Sequence, residues 1–205
     1  MKHLVVAGIG TEIGKTFISA IITEALQADY WKPVQAGSPL DSDFVRQHIS
    51  NTRTVCHPEG YLLQLPMSPH ASAEAEGFHL DLHKLSVPET TNHLVIELAG
   101  GLMVPLNSGQ LNTDLIKMWN LPVILVSRNY LGSINHTLLS VAALRQLGAE
   151  IAGIIFNGET NAASEDFILN YTGLRCIAKI TEQSKINKET IRVLADQLKP
   201  ALIQI

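Results

Sequence analysis

What this chain lacks narrows its function before any motif is read. It has only two cysteines in 205 residues, Cys56 and Cys176, far apart and in no Cys-x-x-Cys pair. That excludes a disulfide framework and points to a reduced, cytoplasmic protein. Its eight histidines are scattered without zinc spacing, and no nucleophile elbow or Cys/His pair is present. No cluster of lysine and arginine occurs and the formal net charge is −4, so nucleic acid is not expected as a partner. Long hydrophobic runs are missing too. Leu121-Pro122-Val123-Ile124-Leu125-Val126 is among the longest and falls far short of a bilayer span, so no membrane association is expected. The first residues lead straight into an apolar stretch rather than a signal-peptide layout.

What is there describes a folded α/β protein. Hydrophobic residues make up 46% and charged residues only 17%, which argues against disorder, and the length suits a single domain over 1–205. Apolar runs bounded by turn signals predict strands at about 3–7, 30–34, 93–97, 122–127, 150–156 and 175–180. Helical patterns fall between them, at 15–27, part of 41–48, 112–119, 133–147, 163–171 and 187–198. This alternation predicts a mostly parallel sheet with helices on both faces and ligand loops at the strand C-terminal ends. Residues 50–80, with His57-Pro58-Glu59-Gly60 and Ser68-Pro69-His70, have little periodicity and read as an irregular excursion.

The organising stretch is Gly8-Ile9-Gly10-Thr11-Glu12-Ile13-Gly14-Lys15-Thr16, between the apolar run Leu4–Ala7 and a helical pattern from Phe17. Strand, glycine turn, Gly-Lys-Thr and helix make a phosphate-binding loop of the P-loop type. Glycines leave backbone N–H groups free to point inward, and the helix start adds partial positive charge. Lys15 is placed to reach the outer phosphates and Thr16 to sit on Mg²⁺. The spacing is one residue longer than the common pattern, since Gly8 stands five residues before Gly14 and Ile9 occupies the usual glycine slot.

Further candidates follow the apolar runs. Glu97 abruptly ends His93-Leu94-Val95-Ile96, where a carboxylate can hold Mg²⁺ or simply face solvent. Ala99-Gly100-Gly101 can form a second wall around phosphates or a flexible turn. Lys32, before Pro33-Val34-Gln35-Ala36-Gly37, is expected one strand over from the phosphate loop, stabilising a transferring phosphoryl group, or else exposed on an edge strand. In Asp41-Ser42-Asp43, Asp41 or Ser42 can cap a helix while Asp43 binds metal. Leu131-Gly132-Ser133-Ile134-Asn135-His136 opens a helix whose free N–H groups suit a carboxylate, or it is a plain Ser133 cap. Asn157 can read a base edge through its amide. The guanine-reading Asn-Lys-x-Asp is absent, which favours adenine.

Together these residues resemble the dethiobiotin synthetase family, whose loop Gly-Thr-Asp-Thr-x-Val-Gly-Lys-Thr has the same long spacing. The resemblance runs through Lys32-Pro33-Val34 with Gly37, Ser68-Pro69-His70, Glu97 with Ala99-Gly100-Gly101, Leu121–Val126, Leu131-Gly132 with Ile134-Asn135-His136, and Asn157. It implies an ATP-dependent ligase that converts 7,8-diaminononanoate and CO₂ to dethiobiotin. One amine becomes a carbamate, ATP phosphorylates it, and the other amine closes the ureido ring. It also implies a homodimer with substrate at the interface.

Carried over residue by residue, the resemblance puts Thr11, Glu12, Ile13, Gly14, Lys15 and Thr16 on the phosphates. Leu98, Ala99, Gly100 and Asn157 then lie against the nucleotide, and Thr16, Asp43 and Glu97 on Mg²⁺. Thr11, Lys15 and Lys32 become the catalytic candidates. Ala36 lies at the substrate, and Gly132, Ser133, Ile134 and Asn135 of the partner subunit hold its carboxylate. The chain departs from the family at Gly10 (usually aspartate), Ala36 (usually Ser or Thr) and Leu98 (usually glycine, so a tighter turn is expected). It departs also at Ala178-Lys179-Ile180-Thr181, where a Gly-x-Ile-Pro base-binding turn is usual and Ile180 to Glu182 are the base contacts. The shortened loop from Ala36 makes Asp41 a rival to Asp43. Two other readings stand beside this one: a P-loop switch ATPase working through partner proteins, and a family member of altered activity. Gly8, Ile9 and Gly10 supply no early-loop lysine of the kind the switch ATPases carry.

Overall fold

Leu4, Val5, Val6 and Ala7 are all buried, so the strand they form, β1 (His3–Gly8), is covered on both faces. A computed structural model describes all residues, Met1–Ile205. The other strands of the main sheet are β2 (Asp29–Trp31), β5 (Leu94–Gly101), β6 (Val123–Arg128), β7 (Ile151–Asn157) and β8 (Cys176–Ile180). Every pairing is parallel and the order is β2-β5-β1-β6-β7-β8. All six strands therefore end on one edge, where the loops gather.

Alternation along β1 sorts its side chains between two layers. Leu4 and Val6 pack against α1 (Lys15–Leu26) and α7 (Lys188–Ile203). Val5 and Ala7 pack against α4 (Asn112–Trp119) and against Leu80, Leu82 and Leu85. A third cluster seats α5 (Ser133–Gln146) and α6 (Ala162–Thr172) on Leu125, Ile154 and Phe156. Helix α1 holds its place through Ile18, Ile21, Ile22 and Ala25, an i, i+3, i+4, i+7 stripe buried against the sheet. Each of those isoleucines contributes about 1.5–3 kcal/mol by leaving water.

The expected strand at 30–34 is two strands. Pro33 has no N–H for the ladder, so β2 stops at Trp31. The chain then forms β3 (Val34–Ala36), which pairs in parallel with β4 (Tyr61–Leu63) in a separate two-stranded sheet. The excursion at 50–80 is thus partly ordered by pairing, and it also carries α3 (Pro69–Ala75). Lys32 is not one strand from the loop as expected, because β5 lies between β2 and β1. No tight turn forms at Leu98. β5 runs on to Gly101, and the Leu98 side chain is buried in the apolar layer. Helix α2 (Asp41–His48) starts at Asp41 with Leu40 in the cap position, so neither Asp41 nor Ser42 caps it. Helix α7 continues through Pro200 to Ile203. Leu202 extends its buried stripe, and Lys2 Nζ donates to the carbonyls of Leu202 (3.0 Å) and Ile203 (2.8 Å).

Candidate nucleotide-binding site

At the common C-terminal edge of the strands lies a cavity of about 820 Å³. The loop from Gly8 to Thr16 forms one wall. Gly8 packs so closely that a Cβ there would stand 2.5 Å from Ile13 Cδ1. Gly14 has φ +86°, and its Cβ would stand 2.1 Å from Asn157 Nδ2, so only glycine suits the residue preceding α1. Asn157 Nδ2 donates to the Ile13 carbonyl at 2.8 Å, which ties the end of β7 to the loop. Gly10 has no atom within 4 Å of a built Cβ. Packing does not require a glycine at that departure from the family loop.

Four charged or polar side chains converge on the same cavity. Lys15, at the first position of α1, donates from Nζ to the Gly10 carbonyl at 2.8 Å. Burial and then the nearby Lys32 charge lower its pKa to about 8, against the opposing pull of Glu97 and Asp41. Thr16 Oγ1 donates to Glu97 Oε1 at 2.8 Å. Lys32 is 3% exposed, its Nζ 3.0 Å from Glu97 Oε1 and 2.5 Å from Asp41 Oδ2. Burial alone would lower its pKa. The charges of Glu97 and Asp41 and their hydrogen bonds outweigh that and hold the ammonium above its usual range. Glu97 is fully buried, and Tyr30 Oη donates to its other oxygen at 2.9 Å.

The structure brings Thr11, Glu12, Gly14, Lys15, Thr16, Lys32, Ala36, Glu97, Ala99, Gly100 and Asn157 to this one cavity. Ile13 and Leu98, also expected at the nucleotide, do not line the cavity, because both side chains are buried in the core. Asp43 is a correction. It lies two residues past Asp41, about 200° round the helix, where it is half-exposed and pairs with Arg46. Asp41 is the carboxylate that meets Lys32. Gly132, Ile134 and Asn135 line a different cavity, beside the loop between β6 and α5, and Ser133 is buried.

Several lining residues carry no sequence signal of their own. Gln35 is held by its amide, Nε2 to the Gly37 carbonyl and Oε1 to the Asp41 N–H. Arg128 at the end of β6 reaches the Glu12 carbonyl at 3.4 Å and lies 3.8 Å from Glu182. Gln183 and Ile186, after β8, close the side next to Asn157 together with Thr181 and Glu182 of the expected base-contact stretch, whereas Ile180 is buried in the core and does not line the cavity. Tyr30 sits behind the cavity and was not a candidate, because nothing in an apolar strand marks which residue will meet a distant carboxylate.

The donor set suits Mg²⁺ among metals. Thr16 hydroxyl and the carboxylates of Glu97 and Asp41 are hard oxygens. No group of three His, Cys, Asp or Glu side chains is gathered to cage an ion. That fits a cation that completes its shell with phosphate oxygens and water.

A parallel sheet whose first strand ends in this loop, with Lys15 and Thr16 opening the next helix, defines a P-loop nucleotide-binding protein. A family model described as an AAA domain matches residues 2–190. The chain belongs to the ATP-dependent dethiobiotin synthetase family. It is 45% identical over 200 residues to the ATP-dependent dethiobiotin synthetase of Cytophaga hutchinsonii, covering 97% of both chains. Against that of Christiangramia forsetii it is 45% identical over 206 residues, covering 100% of this chain and 99% of the relative. Against that of Chlamydia felis it is 39% identical over 95% of this chain and 92% of the relative. Among solved structures, a putative plasmid partition protein from Borrelia burgdorferi bound to AMPPNP superposes with a TM-score of 0.62 at 16% identity, covering 100% and 99% of the two chains. A ParA family ATPase from Chlorobium tepidum gives 0.56 at 12% identity, covering 99% and 91%. These two share the fold.

Proposed function

We propose that this chain closes the ureido ring of dethiobiotin from 7,8-diaminononanoate, CO₂ and ATP. The observation that carries the reading is the convergence of Lys15 and Lys32 on one cavity beside the Thr16–Glu97 hydrogen bond, in a chain of this family. The backbone amides from Thr11 to Thr16 bind the phosphates, and Lys15 shifts from the Gly10 carbonyl to the outer phosphate oxygens. Lys32 stabilises the carbamate and the charge that develops on the transferring phosphoryl group. Thr11 touches the same reacting groups through its hydroxyl. Thr16, Glu97 and Asp41 hold Mg²⁺, which neutralises phosphate charge when bound. Ala99, Gly100, Asn157 and the 181–186 segment border the nucleotide. Ala36, from β3, borders the diamine, and Gln35 beside it supplies a polar group where the family has a hydroxyl.

In this reading the working unit is a homodimer of single-domain chains in the cytoplasm. Gly132, Ile134 and Asn135 line a cavity separate from that of the phosphate loop in one chain, so the substrate carboxylate is met by the partner copy. Leu131, at the tip of that loop, is fully exposed, and Leu139 on α5 is 60% exposed. Both present apolar surface for a second copy to cover. Cys56 and Cys176 are free thiols, and no helix is long and apolar enough to cross a membrane.

A phosphate-release assay over several nucleotides, with and without the diamine and bicarbonate, tests the reading. Release and dethiobiotin formation should both require the diamine and be greatest with ATP. Release that ignores the diamine and rises with a protein partner would overturn the assignment in favour of a switch ATPase.

A further inference from the structure

Glu97 divides its two oxygens between different surroundings. Oε1 accepts from Thr16 and Lys32, which both border the cavity. Oε2 accepts from Tyr30 alone among the side chains, at 2.9 Å. Tyr30 is fully buried on β2, within the apolar layer under α1, and does not border the cavity. Phenylalanine would satisfy that layer equally well. The hydroxyl is the one polar group there that reaches forward to the site, and a buried carboxylate oxygen needs a donor.

We propose that Tyr30 is a positioning residue for Glu97: its hydroxyl pins Oε2 from behind, so that Oε1 is presented to Thr16, Lys32 and the cation. β5 separates Tyr30's strand from β1 and the phosphate loop, and β2 pairs with β5 through Tyr30↔Val95 and Trp31↔Ile96. That ladder holds the phenol and the carboxylate at a fixed separation. Without the hydroxyl, Glu97 is free to turn Oε2 toward Lys32, and the metal loses a preoriented ligand. This inference rests on the reading of Glu97 as the metal carboxylate.

The test uses Tyr30→Phe, which keeps the ring and removes the hydroxyl. Mn²⁺ binding to the protein saturated with a non-hydrolysable ATP analogue is followed by electron paramagnetic resonance of the free ion. Affinity should weaken by about five- to tenfold, while the analogue's own affinity without metal stays within about twofold of wild type. Unchanged Mn²⁺ affinity, with only a lower melting temperature, makes Tyr30 a packing residue and ends the proposal. Glu97→Gln is measured alongside. If that variant also binds Mn²⁺ as wild type does, the reading of Glu97 fails as well; if it weakens binding and Tyr30→Phe does not, only this inference fails. Wild-type protein provides a second measurement, independent of any variant's folding. Infrared difference spectra on adding Mg²⁺ to the analogue complex should shift the C–O band of ¹³C-labelled tyrosine, and an unmoved band likewise ends the proposal.

Discussion

At the scale of single residues, Lys32 is the centre of charge balance. Its ammonium offsets Glu97 and Asp41 in a place water barely reaches, so it serves the stability of the site as well as any part it takes in the proposed reaction. Three variants assayed together separate the roles. Lys32→Ala should lower turnover by about a hundredfold or more, and it should also cost about 3 kcal/mol of stability by leaving two carboxylates without their cation. Asp41→Asn should raise the Mg²⁺ needed for half-maximal activity, whereas Asp43→Asn should behave as wild type in steady-state kinetics. A loss confined to Asp43→Asn would show that α2 presents its other face to the nucleotide. The choice between these aspartates was open in the sequence, since two carboxylates a residue apart look alike until the helix start is known. The start at Asp41 places Asp41 beside Lys32 and turns Asp43 toward Arg46.

At the scale of elements, the buried Glu165 joins α6 to β8 and to the loop after β6. From the first turn of α6 it accepts from Asn129 Nδ2 (2.6 Å) and the Asn161 N–H (2.9 Å), and Lys179 Nζ on β8 lies 2.7 Å away. Burial pushes its carboxyl up, but the bonds from Lys179, the Asn161 amide and Asn129 outweigh that and hold it below its usual range. The folded state therefore binds fewer protons than the unfolded chain in acid. The contribution is fully present above the unfolded value of 4.5 and is lost as pH falls through the lower folded one. Glu165→Gln should lose about 1 kcal/mol in urea unfolding at pH 7, and the gap to wild type should narrow at pH 3.5. A gap that widens in acid would contradict this sign. Element types were readable from periodicity in most of the chain: α1, α4 and α5 fall within a residue of their expected ends. Pairing was not readable. Nothing local in Val34-Gln35-Ala36 announces that Tyr61-Leu62-Leu63 will become its neighbour.

For the whole molecule, the separation of the two cavities sets the expectation. If Gly132–Asn135 of one copy serve the other copy's phosphate loop, sedimentation should give a mass near twice the chain's 22.4 kDa. Leu131→Asp should then yield monomers that bind an ATP analogue normally and form no dethiobiotin. A monomeric wild-type protein with full activity would remove the reason for a second copy. The loop from Tyr130 to Gly132 lines a cavity separate from the one that Lys15 and Lys32 border.

By itself the sequence determined what is local. The glycines and Gly-Lys-Thr of the first loop, the apolar runs and the helical stripes follow from neighbours within a few residues, and backbone geometry and burial leave little else for them to become. Only the tertiary structure decided which distant groups meet. The order β2-β5-β1 put Glu97 between Lys32 and Thr16, sent Leu98 into the core and placed the Tyr30 hydroxyl behind the carboxylate. Hydrogen bonds between residues 65 or 81 positions apart depend on strand order and helix rotation. Those are properties of the packed chain, and no stretch of it encodes them alone.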